Sequence, residues 1–392
     1  MRRALIALLV GSSLFVAYVR PASSQLVVGW KSPTVLVVAG VGNAALAYVN
    51  ANTVQIVDRD IGSTPSSDNP VFLLIGGEVC MLTSPLTVSL PAGLDTGVEA
   101  AGTDYYVWAT RDGLSSGFTL KISASKTSPT GLITKLLLGG FHNDPASNVL
   151  ANSVYSLARG ERDKEGMAKV GACWMDVYET SVWTAVGGGV QRGAGADDYG
   201  CADHGGDCSG LYARSVYNVT PSRFLSWFQG QRFCMNAGKR LVTNAEWQGA
   251  ALGTPDPGAA PGANDCNTNS GGPTGTGTRS NCRSWAGIYD AVGNLWELVA
   301  DWFAGTRASA DPAAEVPGTS VTWGPGQIDR VWNVRGSAYH DGDAAAYKDG
   351  IPAAAFRGGS WNSAAGAGVF ALDLSHAPWD VSSSIGFRCA GQ

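Results

Sequence analysis

Asp373, Ser375 and His376 bring a carboxylate, a hydroxyl and an imidazole close together in the chain, the group types of a hydrolytic triad. Strand neighbours so near in sequence rarely converge on one point, and no oxyanion-stabilising device accompanies them, so catalysis is not their expected use. Cys201, Asp203, His204 and Cys208 form a second chemical cluster, in a loop rich in Gly and Asp. Thiolate and imidazole are the preferred ligands of zinc, but a fourth ligand is not evident and the spacing is not a standard one. A local Cys201–Cys208 disulfide is the favoured reading, with zinc and free thiols as alternatives. The run GGGVQRGAG, Gly187 to Gly195, imitates a phosphate loop in its glycines but lacks the preceding strand and the Gly-Lys-Ser/Thr ending. What remains is recognition chemistry. Ser363, Asp373, Ser375, His376, Trp379, Asp380, Ser382 and Ser384 are small polar, titratable or aromatic groups suited to contact with a partner.

Those groups lie inside Phe356–Ala390, which opens with Arg357-Gly358-Gly359-Ser360-Trp361 and closes with Gly386-Phe387-Arg388-Cys389. Gly368–His376 alternates, which predicts a half-buried strand with Phe370, Leu372 and Leu374 beneath and Val369, Ala371, Asp373 and Ser375 facing water. An apolar-Arg-Gly opening and a closing aromatic occur at Val334–Tyr339 and again at Phe356–Trp361, predicting two neighbouring strands that each end in a loop. Further upstream, Thr220 as N-cap and Pro221 at the first helical position predict a helix carrying Phe224, Leu225, Phe228 and Phe233 and ending at Gly238. Thr243 and Glu246 form a capping box for a second, short helix carrying Trp247. The long Gly/Pro/Thr/Asn loop of Thr254–Ser280 needs a fastening, and a Cys266–Cys282 disulfide is the natural one.

The chain has 392 residues, 45% of them hydrophobic, enough for two domains with cores of their own. Charged residues make up only 15% and the net charge is -5, so the basic footprint of a nucleic-acid binder is absent. With 52 glycines and 13 tryptophans, turns and loops propped by large rings are expected rather than long helices. Eight cysteines, an even count, fit disulfides in an oxidising compartment. Met1-Arg2-Arg3, an uncharged run from Ala4 to Val19, and small residues at Ala22 and Ser24 predict a secretory signal over residues 1–25; a buried strand or a membrane anchor is the alternative. Residues 26–145 read as a small all-β domain, with short Val/Ile/Leu runs at Thr34–Val38, Thr53–Val57, Val71–Ile75 and Leu86–Leu90 and a hairpin through Arg111-Asp112-Gly113. Residues 146–166 read as a linker, and residues 167–392 as the second domain.

Five ordered blocks in that second domain, MDVYETS, FCMNAGKRLVTNAEWQGAALG, YDAVGNLWELVADW, FRGGSW and IGFRCA, resemble the formylglycine-generating enzyme (sulfatase-modifying factor) family. The resemblance implies an α+β architecture: an elaborated C-type lectin fold, preceded here by the all-β domain. It implies a disulfide between Cys234 and Cys389. It also implies a calcium ion on the carbonyls of Val292, Gly293 and Leu295 and the carboxylate of Glu297, the oxygen-only ligation that calcium takes; alternatively, Glu297 only hydrogen-bonds backbone in this turn. The enzymes of the family use a copper-bound cysteine pair just after RGGSW. Those positions hold Ser363 and Gly368, so neither copper nor iron is expected and the oxidase activity is not expected to survive.

The text RGGSWNSAAGAGVFALDLSHAPWDVSSSIGFRCA further resembles the variable region of proteins diversified by diversity-generating retroelements, in which adenine-specific mutagenesis rewrites chosen codons. The segments LDTGVEAAGTDYYVWATRDG, FTLKISAS and LLLGGFHND resemble the β-rich, fibre-like modules that precede such lectin domains. Together these imply a ligand- or receptor-binding protein, not an enzyme, with a variable region over about residues 335–390. Tyr339, His340, Asp341, Trp361, Asn362, Ser363, Gly366, Asp373, Ser375, His376, Trp379, Asp380, Ser382 and Ser384 would form its contact surface. The partner would be a protein or glycan on another cell or surface, and the location secreted, surface-displayed or on a virion. Homo-oligomers would form through the N-terminal domain.

Overall fold

The computed structural model describes residues 42–112, 117–145, 148–162, 164–193, 199–201, 205–303, 353–376 and 378–391, together with the backbone of short strands at 4–10, 13–19, 26–27, 321–322 and 328–329. The chain forms two compact units, Met1–Glu165 and Gly166–Gln392. The described residues are mostly β-structure with two α-helices. None of their helices is long and apolar enough to cross a membrane.

In the first unit the alternating text becomes paired strands. Asp104–Thr110 runs between Thr119–Ser123 and Lys135–Asp144, antiparallel to both. Flanked on both edges, this strand is buried along nearly its whole length. Ala44–Asn50, Thr53–Asp58 and Thr87–Ser89 make a second sheet, and Val71–Ile75 pairs with Glu78–Leu82. Leu46, Ile56, Leu73, Ile75, Val107, Ile122 and Phe141 meet in one core. The linker expected at 146–166 is a difference. Asn148–Val149 and Tyr155–Ser156 pair with Lys135–Asp144 and bury Val149 and Tyr155, so this stretch belongs to the first unit. Short apolar residues among polar ones look like connector text, whereas the bonding partners lie elsewhere in the chain. Ala4–Val10 and Ser13–Val19 are antiparallel strands. The expected cleavage site at Ala22–Ser24, the expected strand at Thr34–Val38 and the Val334–Tyr339 repeat lie outside the described residues.

The central sheet of the second unit has the order β3-β2-β1-β4, where β1 is Trp296–Phe303, β2 Ala353–Gly358, β3 Gly368–His376 and β4 Ile385–Phe387. β1 and β2 are antiparallel, as are β2 and β3, while β4 runs parallel to β1. A second sheet brings the last strand, Cys389–Gly391, between Cys173–Asp176 and Arg240–Leu241. Helix α2, Asn244–Ala251, starts as the sequence predicts: the Thr243 hydroxyl accepts from the Glu246 N–H at 3.3 Å and the Glu246 carboxylate accepts from the Thr243 N–H at 3.0 Å.

Helix α1 starts later than predicted. It spans Trp227–Asn236, with Ser226 as N-cap in a capping box with Gln229. Phe224, expected inside the helix, has φ +57°, and its N–H donates to the Ser382 carbonyl at 3.0 Å. Tertiary hydrogen bonds to this stretch outweigh the Thr-Pro start signal. A disulfide joins Cys234 on α1 to Cys389, and two others join Cys201 to Cys208 and Cys266 to Cys282. With its sulfurs in a disulfide, the Cys201/Cys208 pair has no thiolate for zinc; Asp203 and His204 lie outside the described residues. Cys80 and Cys173 are buried thiols.

Arg388, fully buried, holds the frame together. Its Nε and Nη2 donate to the two oxygens of Glu297 at 2.9 and 2.6 Å, Nη1 to the carbonyls of Asp176 and Val177 at 2.9 Å each, and Nη2 also to Tyr289 at 2.7 Å. The Trp247 indole adds a bond to Glu297 at 2.8 Å. Breaking a buried pair by deleting one partner strands the other charge. Glu297→Ala or Arg388→Ala should therefore cost about 3–5 kcal/mol in urea unfolding of the full chain, and replacing both by packed apolar residues much less. Single mutants within 1 kcal/mol of the parent would contradict this role for the pair.

Candidate binding face

Three segments place the predicted contact residues: the turn Trp361–Gly366, strand β3, and the loop 378–384. The turn depends on two glycines. Gly358 and Gly359 have φ of +85° and +87°, and a Cβ on them would come within 2.5 Å of the Ala291 carbonyl and 2.6 Å of Ala367. No other residue type adopts that backbone so readily or leaves that space. Beyond it the Trp361 N–H donates to the Asn294 carbonyl at 2.9 Å, the Trp361 carbonyl accepts from the Ser270 N–H at 2.8 Å, and the Ala364 N–H donates to the Thr268 carbonyl at 2.7 Å. The loop 378–384 is held the same way. Its carbonyls at Pro378, Ser382 and Ser384 accept from the N–H groups of Trp227 (2.8 Å), Phe224 (3.0 Å) and Trp296 (2.8 Å).

These anchors are peptide groups, so they do not depend on which side chain each loop residue carries. One side chain adds to them: the Ser363 hydroxyl accepts from the Ser360 N–H at 2.9 Å. Asn362, Gly366 and Trp379 are exposed, and Trp361, Ser363, Asp373, His376, Asp380, Ser382 and Ser384 are half-buried. Some bond to each other: the Ser382 and Ser384 hydroxyls are 3.1 Å apart, and the buried Ser360 hydroxyl donates to the Asn362 side chain at 2.7 Å. Ser375 lies on β3. Tyr339, His340 and Asp341 lie outside the described residues.

His376 sits between two carboxylates, with Nδ1 3.3 Å from Asp380 and Nε2 3.9 Å from Asp373. Its ring meets Phe356 edge-on at 5.3 Å. Burial is the largest influence on its pKa and works against the charged form, but the Asp380 hydrogen bond and the two acid charges together push it up. With a carboxylate facing each nitrogen, the imidazole is arranged as a cation between acids.

Alternation along β3 fails at its first half. Arg357 opposes Leu372, but the next residue, Gly358, opposes Gly368, leaving Val369, Phe370 and Ala371 in a bulge. Val369, expected in water, packs against the Cys266–Cys282 cluster. Phe370, expected beneath, is 48% exposed. Leu374 is buried as expected.

The turn expected to hold calcium has another occupation. Both oxygens of Glu297 are taken by Arg388 and Trp247. As placed, Glu297 does not fit the calcium set proposed with Val292, Gly293 and Leu295. It binds a side chain, which the sequence reading did not consider. The turn is instead stabilised from below: Glu179 accepts from the Leu295 N–H at 2.8 Å and from the Asn294 side-chain amide, and Asn294 accepts from the Thr274 N–H at 2.8 Å. The sequence reading missed Glu179, Asp290 and the partner of Arg388. Their one signal is that acids occur inside otherwise apolar blocks.

The match to known proteins follows this division. Residues 200–392 match the family described as sulfatase-modifying factor enzyme 1-like domain. The C-terminal part of the chain carries this domain. Residues 54–165 match the Mtd second domain. The chain is 25% identical over 339 residues to a tail fiber receptor-binding protein of Bordetella phage BPP-1, covering 81% of this chain and 76% of that one. It is 33% identical over 116 residues to a formylglycine-generating enzyme of Thermomonospora curvata, covering 24% of this chain and 38% of the enzyme. Among solved structures, the Major Tropism Determinant U1 variant superposes with a TM-score of 0.57 at 20% identity, covering 96% of this chain and 91% of that one, a likeness of fold.

Below the face, burial pushes the Asp290 carboxyl up to about 7, with the Gly277 N–H and Arg388 pulling the other way. Burial and the charges of Asp290 and Glu297 also raise Glu179. An acid whose folded pKa lies above its usual 3.8 takes up a proton on folding, so its contribution favours the fold in acid and is lost as pH rises from about 4 to 7. Asp290→Asn should therefore gain stability relative to the parent as pH rises through that window, read as the difference in melting temperature at each pH. A difference that stays flat, or shrinks toward alkaline pH, would contradict it.

Proposed function

We propose that this chain is a receptor-binding protein whose C-terminal face, built on a C-type lectin fold of the sulfatase-modifying factor type and preceded by an all-β presentation unit, is diversified by a retroelement. The observation that carries the proposal is the mode of anchoring. The turn 361–366 and the loop 378–384 are gripped mainly through N–H and carbonyl groups, while the side chains of Asn362, Asp380, Ser382 and Ser384 are exposed or half-buried. Such a surface accepts new side chains without refolding. An enzyme needs the opposite, a fixed set of reacting groups. Ser363 and Gly368 occupy the positions of the family's cysteine pair, and the Asp373–His376–Asp380 arrangement spends both imidazole nitrogens on acids. Similarity to a tail fiber receptor-binding protein supports display on a virion, with a cell surface as the other setting and a protein or glycan as ligand. The all-β unit is a natural place for self-association.

If codons here are rewritten, the flanking DNA carries a reverse transcriptase gene and a near-copy of the segment encoding Phe356–Ala390. That copy should differ from the gene only at adenines, falling at Ser363, Gly366, Asp373, Ser375, His376, Asp380, Ser382 and Ser384. A copy with differences scattered over Arg357, Gly358 and Arg388, or no copy at all, overturns diversification.

A further inference from the structure

The turn 361–366 does not stand alone at the surface. A second stretch, 268–272, is joined to it by two main-chain hydrogen bonds, from the Ser270 N–H to the Trp361 carbonyl (2.8 Å) and from the Ala364 N–H to the Thr268 carbonyl (2.7 Å). Asn269, Ser270 and Gly271 are exposed, as are Asn362, Ala365 and Gly366 in the turn. Sequence reading treats 268–272 only as loop to be fastened, because both bonds join residues far apart in the chain.

The stretch is ordered before any ligand arrives. The Cys266–Cys282 disulfide closes its base. The Thr268 hydroxyl donates to the Gly258 carbonyl at 2.6 Å, the Asn269 side-chain amide to the Ala259 carbonyl at 2.8 Å, and the Ser270 hydroxyl to the Gly272 carbonyl at 2.8 Å. A ligand would therefore meet little of the ordering cost that a loose loop imposes. Two groups are left to bond elsewhere: the Asn269 side-chain carbonyl and the Asn362 side-chain N–H groups have no hydrogen-bond partner among the described residues.

The joined stretches are also free of charge. Neither Cys266–Thr278 nor Gly358–Gly368 contains an Asp, Glu, His, Lys or Arg. What they show is amide, hydroxyl and peptide groups beside the half-buried Trp361 indole. A side-chain amide both donates and accepts, as a sugar hydroxyl does, and an indole ring suits the C–H side of a sugar ring. A charged ligand would need an opposite charge here, and a protein hot spot is centred on a desolvated apolar or arginine anchor.

We propose that the stretch 268–272 and the turn 361–366 form one subsite for an uncharged sugar unit of a receptor glycan, with Asn269 as a contact outside the rewritten positions. The proposal rests on the receptor-binding reading above and gives it a ligand class. Every variant of the face would keep Asn269, while the residues at Ser363 and Gly366 select among sugars.

The test is binding of the full chain to an array of immobilised oligosaccharides, neutral ones and others carrying carboxylate or phosphate, beside a displayed three-helix scaffold library as the protein probe. Gly271→Arg blocks the subsite without crowding the fold, since a Cβ there meets nothing within 4 Å. Asn269→Ala removes one surface amide, and melting curves of both variants should superpose on the parent's. The expected result is a neutral oligosaccharide held in low and high salt alike and weakened about tenfold or more by each variant. A neutral oligosaccharide lost on Ser382→Arg but indifferent to Asn269→Ala and Gly271→Arg overturns the subsite and leaves the receptor reading standing. Retention of charged oligosaccharides alone, or release by salt, overturns the uncharged ligand. Scaffold clones blocked by Asn362→Arg, with no oligosaccharide held, overturn the glycan and leave the receptor reading standing. Array and library binding that both ignore Asn362→Arg and Ser382→Arg overturn the receptor reading together with the subsite.

Discussion

Arg388 grips Glu297 with a forked pair of hydrogen bonds and spends its remaining N–H groups on the carbonyls of Asp176, Val177 and Tyr289. A guanidinium buried this fully is tolerable only because every donor has an acceptor, and the same requirement fixes where four separate stretches of chain must lie. Glu297 lies at the start of β1, the Tyr289 N–H donates to the Val177 carbonyl at 2.9 Å, and Arg388 leads into the last strand, which the Cys234–Cys389 disulfide ties to α1. The face at 361–384 is built on that post. The Asn294 carbonyl supports Trp361, and the N–H groups of Trp296, Phe224 and Trp227 support the loop that carries Trp379 and Asp380.

This arrangement separates two duties that active sites usually combine. Residues that fix geometry, Arg357, Glu297, Trp247 and Arg388, are buried and bonded to each other or to backbone. Those at the surface, Asn362, Trp379, Asp380 and Ser382, are held at the peptide level. The phenyl ring of Phe370 lies between the two groups, a surface residue set by a buried one.

Much of the frame was legible in the sequence because its residue types carry their own geometry. Thr243 with Glu246 implies a helix start, Cys266 with Cys282 implies a fastened loop, and the five ordered blocks imply the domain. The misreadings share one physical cause. Period-two alternation put Phe370 inside, but Arg357 pulls the neighbouring carbonyls into a bulge. The Thr220-Pro221 signal put a helix start too early, but the Phe224 N–H finds the Ser382 carbonyl far away in sequence. The Glu297 carboxylate was expected to hold calcium or backbone in its own turn, but Arg388, distant in the chain, bonds it. Local patterns report local bonds, and each of these was decided by a bond across the fold.

The central claim is that the frame carries the fold and the filling of the face does not. A saturation scan of Ala291–Ala390 in the full chain, displayed and sorted for protease resistance, measures this directly. The account predicts broad tolerance at Asn362, Ser363, Gly366, Asp380, Ser382 and Ser384 and near-complete intolerance at Glu297, Gly358, Gly359, Arg388 and Cys389. Comparable intolerance at the two groups of positions would contradict it.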